Sequence, residues 1–344
     1  MRWVCGLGQS WPTLRARLIK KRFVRKRTVQ LDVMPIHSQG GWHRVVKHKI
    51  APVQRRVIPS PLPGIILVIS LRTFSAYVAM TFAWSWACWM LLALVEPKST
   101  LMSGALFLIG GFGPGIAAVA MVVHDGGRVG LRRWLTRCLQ WRTGWHWMLL
   151  AFVFPIICMG LAAAIHLGLG GTLPASPAAG HVLLTAVNFV LIMFVGGPVG
   201  EEFGWRGYAL PVLQDRVGWR VASFILGVVW AVWHLPLFYI PGTVQNHLPM
   251  GLYAVSAIAS SILFGWLFNR TAGSVLPVLV LHTAVNAWFG VIPVMVMPDG
   301  TNLRPFQLVV GILVVVASAL LFSSDPPVPA QASTKPDGPH FAQD

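Results

Sequence analysis

Continuous apolar stretches of about 20 residues recur from position 73 onward, and they leave few folds open. Inside a bilayer no water satisfies backbone N–H and C=O groups, so only helices and closed barrels can span it. The stretches here do not alternate with period two, which selects helices over a barrel. Composition agrees. The chain is 55% hydrophobic and only 11% charged, whereas soluble domains carry about 25% charged residues. The expected fold class is all-α, a polytopic transmembrane helical bundle of about eight spans. They lie near residues 73–95, 101–123, 147–169, 182–195, 221–235, 252–268, 275–297 and 306–322. The second span contains the glycine-rich run Gly110–Gly115, where small residues would let another helix approach closely.

A net charge of +17 raises the question of a nucleic-acid partner. The distribution of the charge answers against it, because most basic residues flank the apolar spans and so orient them. Arg128, Arg132, Arg133, Arg137 and Arg142 follow the second span, Arg206, Arg216 and Arg220 the fourth, and Arg270 the sixth. The alternate connections hold only Lys98 and Arg304. Both termini and a loop carrying Glu201 and Glu202 are therefore expected on the cytoplasmic side of the membrane. Three segments are expected: a basic extension at 1–60, a transmembrane domain at 61–324, and a Pro- and Ala-rich disordered tail at 325–344. The basic cluster between Arg15 and Arg27 has no apolar region behind it and does not read as a secretory signal. The favoured reading of 1–60 is a disordered cytoplasmic extension drawn to anionic lipid headgroups. An amphipathic surface helix or a gene start placed too far upstream remain open. The cysteines Cys5, Cys88, Cys138 and Cys158 show no paired spacing that would suggest a disulfide framework or a zinc site.

Within this apolar background the ionisable residues stand out. The chain has three glutamates, and two of them, Glu201 and Glu202, are adjacent at the end of the fourth apolar run. Charges at the hydrocarbon edge need a partner or a function. Arg206 follows Glu202 by four residues, the spacing of an ion pair on one helical face. Glu201 points about 100° away round the helix and has no local partner, which makes it a candidate general base. The alternative is that both glutamates are solvated loop charges. His234 ends the fifth span, and Trp230 shares its face. His282 and Asn286 share a face of the seventh. A single intramembrane histidine is more often an interhelical hydrogen bond than a catalyst, and His166 is left with that reading.

Taken as a set, one carboxylate, two imidazoles and one amide suit hydrolysis: a base for water, a group to hold that water, and donors to an oxyanion. Glu201, His234 and His282 also match the donor types of a catalytic zinc or other divalent metal, so either a metal or no cofactor is compatible. No HExxH or GxSxG motif is present.

Glu201-Glu202-x-x-x-Arg206, Trp230-x-x-x-His234 and His282-x-x-x-Asn286, in that order on successive apolar segments, resemble the CPBP family of CAAX and bacteriocin-processing (Abi) intramembrane proteases. The text from Gly204 to Pro211 is similar to its bacterial members. The resemblance covers a motif core at 182–297. It implies a bundle of eight or so helices and cleavage of a membrane-embedded or membrane-associated polypeptide. It also implies Glu201 as the water-activating base, His234 assisting it, His282 and Asn286 stabilising the oxyanion, and Glu202 and Arg206 as structural support. Trp230 departs from the usual phenylalanine, and an aromatic packing role is expected of it. Two further functions share these residues. One is a non-catalytic bacteriocin-immunity or scaffold protein. The other is a proton-coupled transporter, against which the lack of an internal repeat counts.

Overall fold

The computed structural model describes residues 32–38, 41–47, 63–95, 100–176, 178, 181–295 and 302–324. The chain divides into two units, Met1–Ser60 and Pro61–Asp344. In the first unit, strands β1 (Asp32–Ser38) and β2 (Gly41–Lys47) pair antiparallel, in register from Asp32↔Lys47 to Ser38↔Gly41. This hairpin lies inside the segment expected to be disordered. Its local composition explains the difference, since Val33 and Ile36 on one strand and Trp42, Val45 and Val46 on the other favour strand backbone. The rest of the basic extension and the 325–344 tail lie outside the described residues.

Every regular element described in the second unit is helical. The helices are α1 (Pro63–Val95), α2 (Thr100–Gly111), α3 (Gly113–Cys138), α4 (Trp145–Gly168), α5 (Val182–Phe194), α6 (Pro198–Gly204), α7 (Leu210–Trp233), α8 (Met250–Arg270), α9 (Leu276–Phe289) and α10 (Arg304–Leu321). A π-helical turn, Trp205–Ala209, joins α6 to α7, and a 3-10 turn, Leu235–Tyr239, follows α7. Proline occupies one of the first two positions of α3, α6, α7, α9 and α10, where its missing N–H breaks no bond. Helix α7 packs along α8, α4 along α9, and α10 against both α8 and α4.

Among the described residues, five helical stretches are long and apolar enough to cross a membrane, or six when α2 and α3, bent by 46°, count as one broken span. The expected count was eight. Helices α5 and α9 have only 13 and 14 residues, about 20 Å each at 1.5 Å per residue, against about 30 Å of hydrocarbon. The stretch 183–239 reads as one unit although it runs from α5 through α7. Lipid-facing character is clear on α5, where Leu183, Leu184, Leu191 and Phe194 are all exposed.

The expectation for Gly110–Gly115 holds. A Cβ on Gly110 would overlap the Trp89 indole, and one on Gly115 would come within 2.8 Å of the Gly200 carbonyl oxygen. The same absence of side chain at Gly204 admits Pro114. The start of α3 therefore seats α6, the helix that carries both glutamates.

Candidate active site

Helix α6 is not the solvated loop that the alternative reading of its glutamates allowed. Glu201 is 7% exposed, and Glu202 and Arg206 are fully buried. The helix begins at Gly197, whose φ of 108° disfavours other residues and whose carbonyl accepts the Glu201 N–H at 2.9 Å. The two glutamates then diverge, as consecutive helical positions must.

Glu202 faces inward. Arg206 Nη1 lies 3.0 Å from each of its carboxylate oxygens and donates to Oε1. His282 Nδ1 lies 2.7 Å from the same Oε1. The Arg206 guanidinium sits between two rings, 5.0 Å from the centre of Trp230 and 4.8 Å from that of Phe264. The expected Glu202–Arg206 pair is thus present, desolvated, and extended to a histidine on α9. A buried carboxylate needs such pairing, because its desolvation otherwise costs several kcal/mol. Arg206 lies in the π turn. Trp134 Nε1 and Arg137 Nη2 of α3 both donate to the Gly207 carbonyl at 3.1 Å, holding the widened turn in place.

Glu201 is not without a partner. The indole N–H of Trp230 donates to its Oε2 at 2.7 Å, from 29 residues downstream. Trp230 also accepts through its backbone: His234 Nδ1 lies 2.8 Å from the Trp230 carbonyl oxygen. A carbonyl can only accept, so Nδ1 of His234 carries the proton, and Nε2 of the neutral ring is an acceptor. A carboxylate likewise accepts from His282 Nδ1. Neither Nε2 has a hydrogen-bond partner among the described residues. The imidazoles are wedged by rings: His234 by Trp233 at 4.7 Å and Tyr253 at 5.2 Å, His282 by Trp230 at 5.4 Å and Phe264 at 5.6 Å. Trp86 Nε1 on α1 fixes the end of α7 through the Trp233 carbonyl at 3.0 Å.

Glu201, Trp230, His234, His282 and Asn286 line one cavity of about 950 Å³, whose other walls come mainly from apolar residues of α1, α2, α8, α9 and the connection between α7 and α8. Asn286 is exposed on that wall, and its amide makes no hydrogen bond among the described residues. His166 lies elsewhere. It is fully buried, bonded to Arg304 Nε at 3.0 Å and to the Thr172 carbonyl at 3.2 Å, which is the interhelical role expected of it.

The metal reading fares differently. Among the described residues no group of three His, Cys, Asp or Glu side chains is gathered so that it could hold a metal ion. The Glu201, His234 and His282 donors do not fit that role in this arrangement. What sequence reasoning missed was the donor role of Trp230, together with Tyr253 and Phe264 as walls. One signal was available, since an indole in place of a phenyl ring brings an N–H that a buried carboxylate can use.

Residues 181–288 match the model of the Type II CAAX prenyl endopeptidase Rce1-like family. A relative from Methanococcus maripaludis, described as CAAX prenyl protease 2, is 29% identical over 103 residues. That match takes in 28% of this chain and 38% of the relative, so the chain spans well under half of the relative's length. The relative is archaeal, and it does not support the bacterial branch read between Gly204 and Pro211. All seven expected site and support residues, from Glu201 to Asn286, fall within the matched segment.

Proposed function

We propose that this integral membrane protein, whose residues 181–288 match the Type II CAAX prenyl endopeptidase Rce1-like family, is an intramembrane endopeptidase acting by a Glu201-activated water. The observation that carries the reading is the convergence of Glu201, His234, His282 and Asn286 on one mostly apolar cavity. Among the described residues, Glu201 Oε1 and His234 Nε2 are two acceptors without donors. A water donating one hydrogen to each keeps a lone pair free for attack. Its oxygen bonds to the scissile carbonyl carbon as Glu201 takes the proton. The resulting oxyanion is met by the Asn286 amide N–H and, with its ring protonated, by His282 Nε2–H. Collapse breaks the C–N bond, and the proton held by Glu201 passes to the departing amine. Glu202 and Arg206 hold His282 in the required orientation. No step is routed through a metal.

The substrate class is a membrane-embedded or membrane-associated polypeptide, because the apolar walls favour a chain presented from the bilayer. The basic segment 1–60 would add attraction to anionic headgroups.

The test uses purified full chain in lipid nanodiscs and a library of membrane-anchored fluorogenic peptides. Wild type and Glu201→Gln are each run with and without a chelator. Cleavage by wild type and none by Glu201→Gln, at equal thermal stability, is expected. Retained cleavage by Glu201→Gln removes the assigned base. Activity lost in chelator as well would replace the metal-free scheme with a metallopeptidase.

A further inference from the structure

We propose that Trp230 is a positioning residue for the base: its indole N–H fixes Oε2 of Glu201 and leaves Oε1 as the oxygen offered to water. This rests on the reading of Glu201 as the base. Three observations carry it.

The 2.7 Å bond from Trp230 Nε1 is the one hydrogen bond to the Glu201 carboxylate among the described residues. Both residues are more than nine-tenths buried, so water cannot substitute freely for a lost donor. Arg206, the cation closest in sequence, spends its hydrogen bond on Glu202 instead.

The second observation concerns Oε1. A Cβ built on Gly197 would approach it to 2.8 Å. The carboxylate is therefore clasped at Oε2 and lies close over a backbone that carries no side chain at Oε1. That leaves one oxygen engaged and one without a donor, which is the asymmetry a proton acceptor needs.

The third observation is connectivity. The Trp230 side chain holds Glu201, and its backbone carbonyl holds His234 Nδ1. Its ring packs edge-on against His282 and beneath the Arg206 guanidinium. One residue thus sets the base relative to both imidazoles. A phenylalanine in its place would keep the backbone bond and much of the packing and lose the donor.

The experiment separates donor from shape. Trp230→Phe removes the N–H and some volume. Site-specific replacement of Trp230 by β-(3-benzothienyl)alanine removes the N–H and keeps the bicyclic ring. In nanodiscs, both variants are expected to lose roughly tenfold to hundredfold in kcat, the span of a hydrogen bond to a charged group, with KM nearly unchanged. Wild-type kcat in the benzothienyl variant, with Glu201→Gln inactive, overturns the positioning role and leaves the base assignment standing. Full activity in Glu201→Gln removes both. A readout independent of turnover is available, because the chain has only three glutamates. With glutamate labelled by carbon-13 at the side-chain carboxyl, the infrared carboxylate band lost in Glu201→Gln is that of Glu201. It is expected to shift in both Trp230 variants. An unshifted band overturns the proposal whatever the activity.

Discussion

Two buried histidine sites in this molecule use the same ring in opposite ways. His166 has both nitrogens committed: Nδ1 accepts from Arg304, an obligate donor, and Nε2 lies 3.2 Å from the Thr172 carbonyl, an obligate acceptor. The Gly171 backbone closes over its ring so tightly that a Cβ there would overlap it. Nothing can approach. His234 and His282 are held just as firmly through Nδ1, yet among the described residues each keeps Nε2 unpaired beside a cavity. Burial alone therefore does not mark function. The mark is a side chain fixed at one atom and unsatisfied at another, because a stable interior leaves few polar atoms unpaired without a use for them.

That contrast can be broken or sharpened by substitution. The largest effect is expected from Arg206→Leu, which strands the Glu202 carboxylate in the interior beside His282 alone. It should cost about 3–5 kcal/mol of stability, read by denaturant or thermal unfolding in detergent, and abolish turnover with it. Unchanged unfolding would show that Glu202 does not need its cation. Next comes His282→Gln. It should slow cleavage by roughly 10²–10³-fold while the melting temperature moves little, as expected for a donor that works only in the transition state. A loss of stability equal to the loss of rate would make His282 a second His166. Gly197→Ala is expected to lose about 1–3 kcal/mol from a side chain forced into positive φ. It should lower kcat further by pressing on Glu201 Oε1, and circular dichroism with single-turnover kinetics separates the two. The smallest effect is expected at the closed site. Arg304→Met should lower stability by about 1 kcal/mol and leave cleavage at the wild-type rate. Slower cleavage there would erase the distinction between the two kinds of histidine.

Much of the site could be read along the chain, and its limits have physical causes. Glu202 with Arg206, Trp230 with His234 and His282 with Asn286 are each four residues apart, and helical geometry alone puts each pair on one face. The links between those pairs are tertiary. Trp230 reaches Glu201 across 29 residues, and His282 reaches Glu202 across 80. No local period encodes such distances. The burial of α6 is tertiary as well. Two adjacent glutamates leave a solvated turn open as an alternative, and the glycine contacts with α3 make room to bury them. The span count suffered for a related reason. Hydropathy measures how apolar a stretch is, not where a helix bends or stops, so the π turn and the shortness of α5 and α9 were invisible to it.

The walls of the central cavity hold a last consequence. Among the described residues that line it, Glu201 is the one carboxylate, and none is a lysine or arginine. Such a surface has almost no long-range field with which to recruit a charged molecule from water. For the membrane-presented substrate proposed above, encounter is then a matter of partitioning and lateral diffusion within the lipid. The natural concentration variable is the mole fraction of substrate in the bilayer, and dilution with inert lipid should slow the reaction more than dilution with buffer or a change of salt.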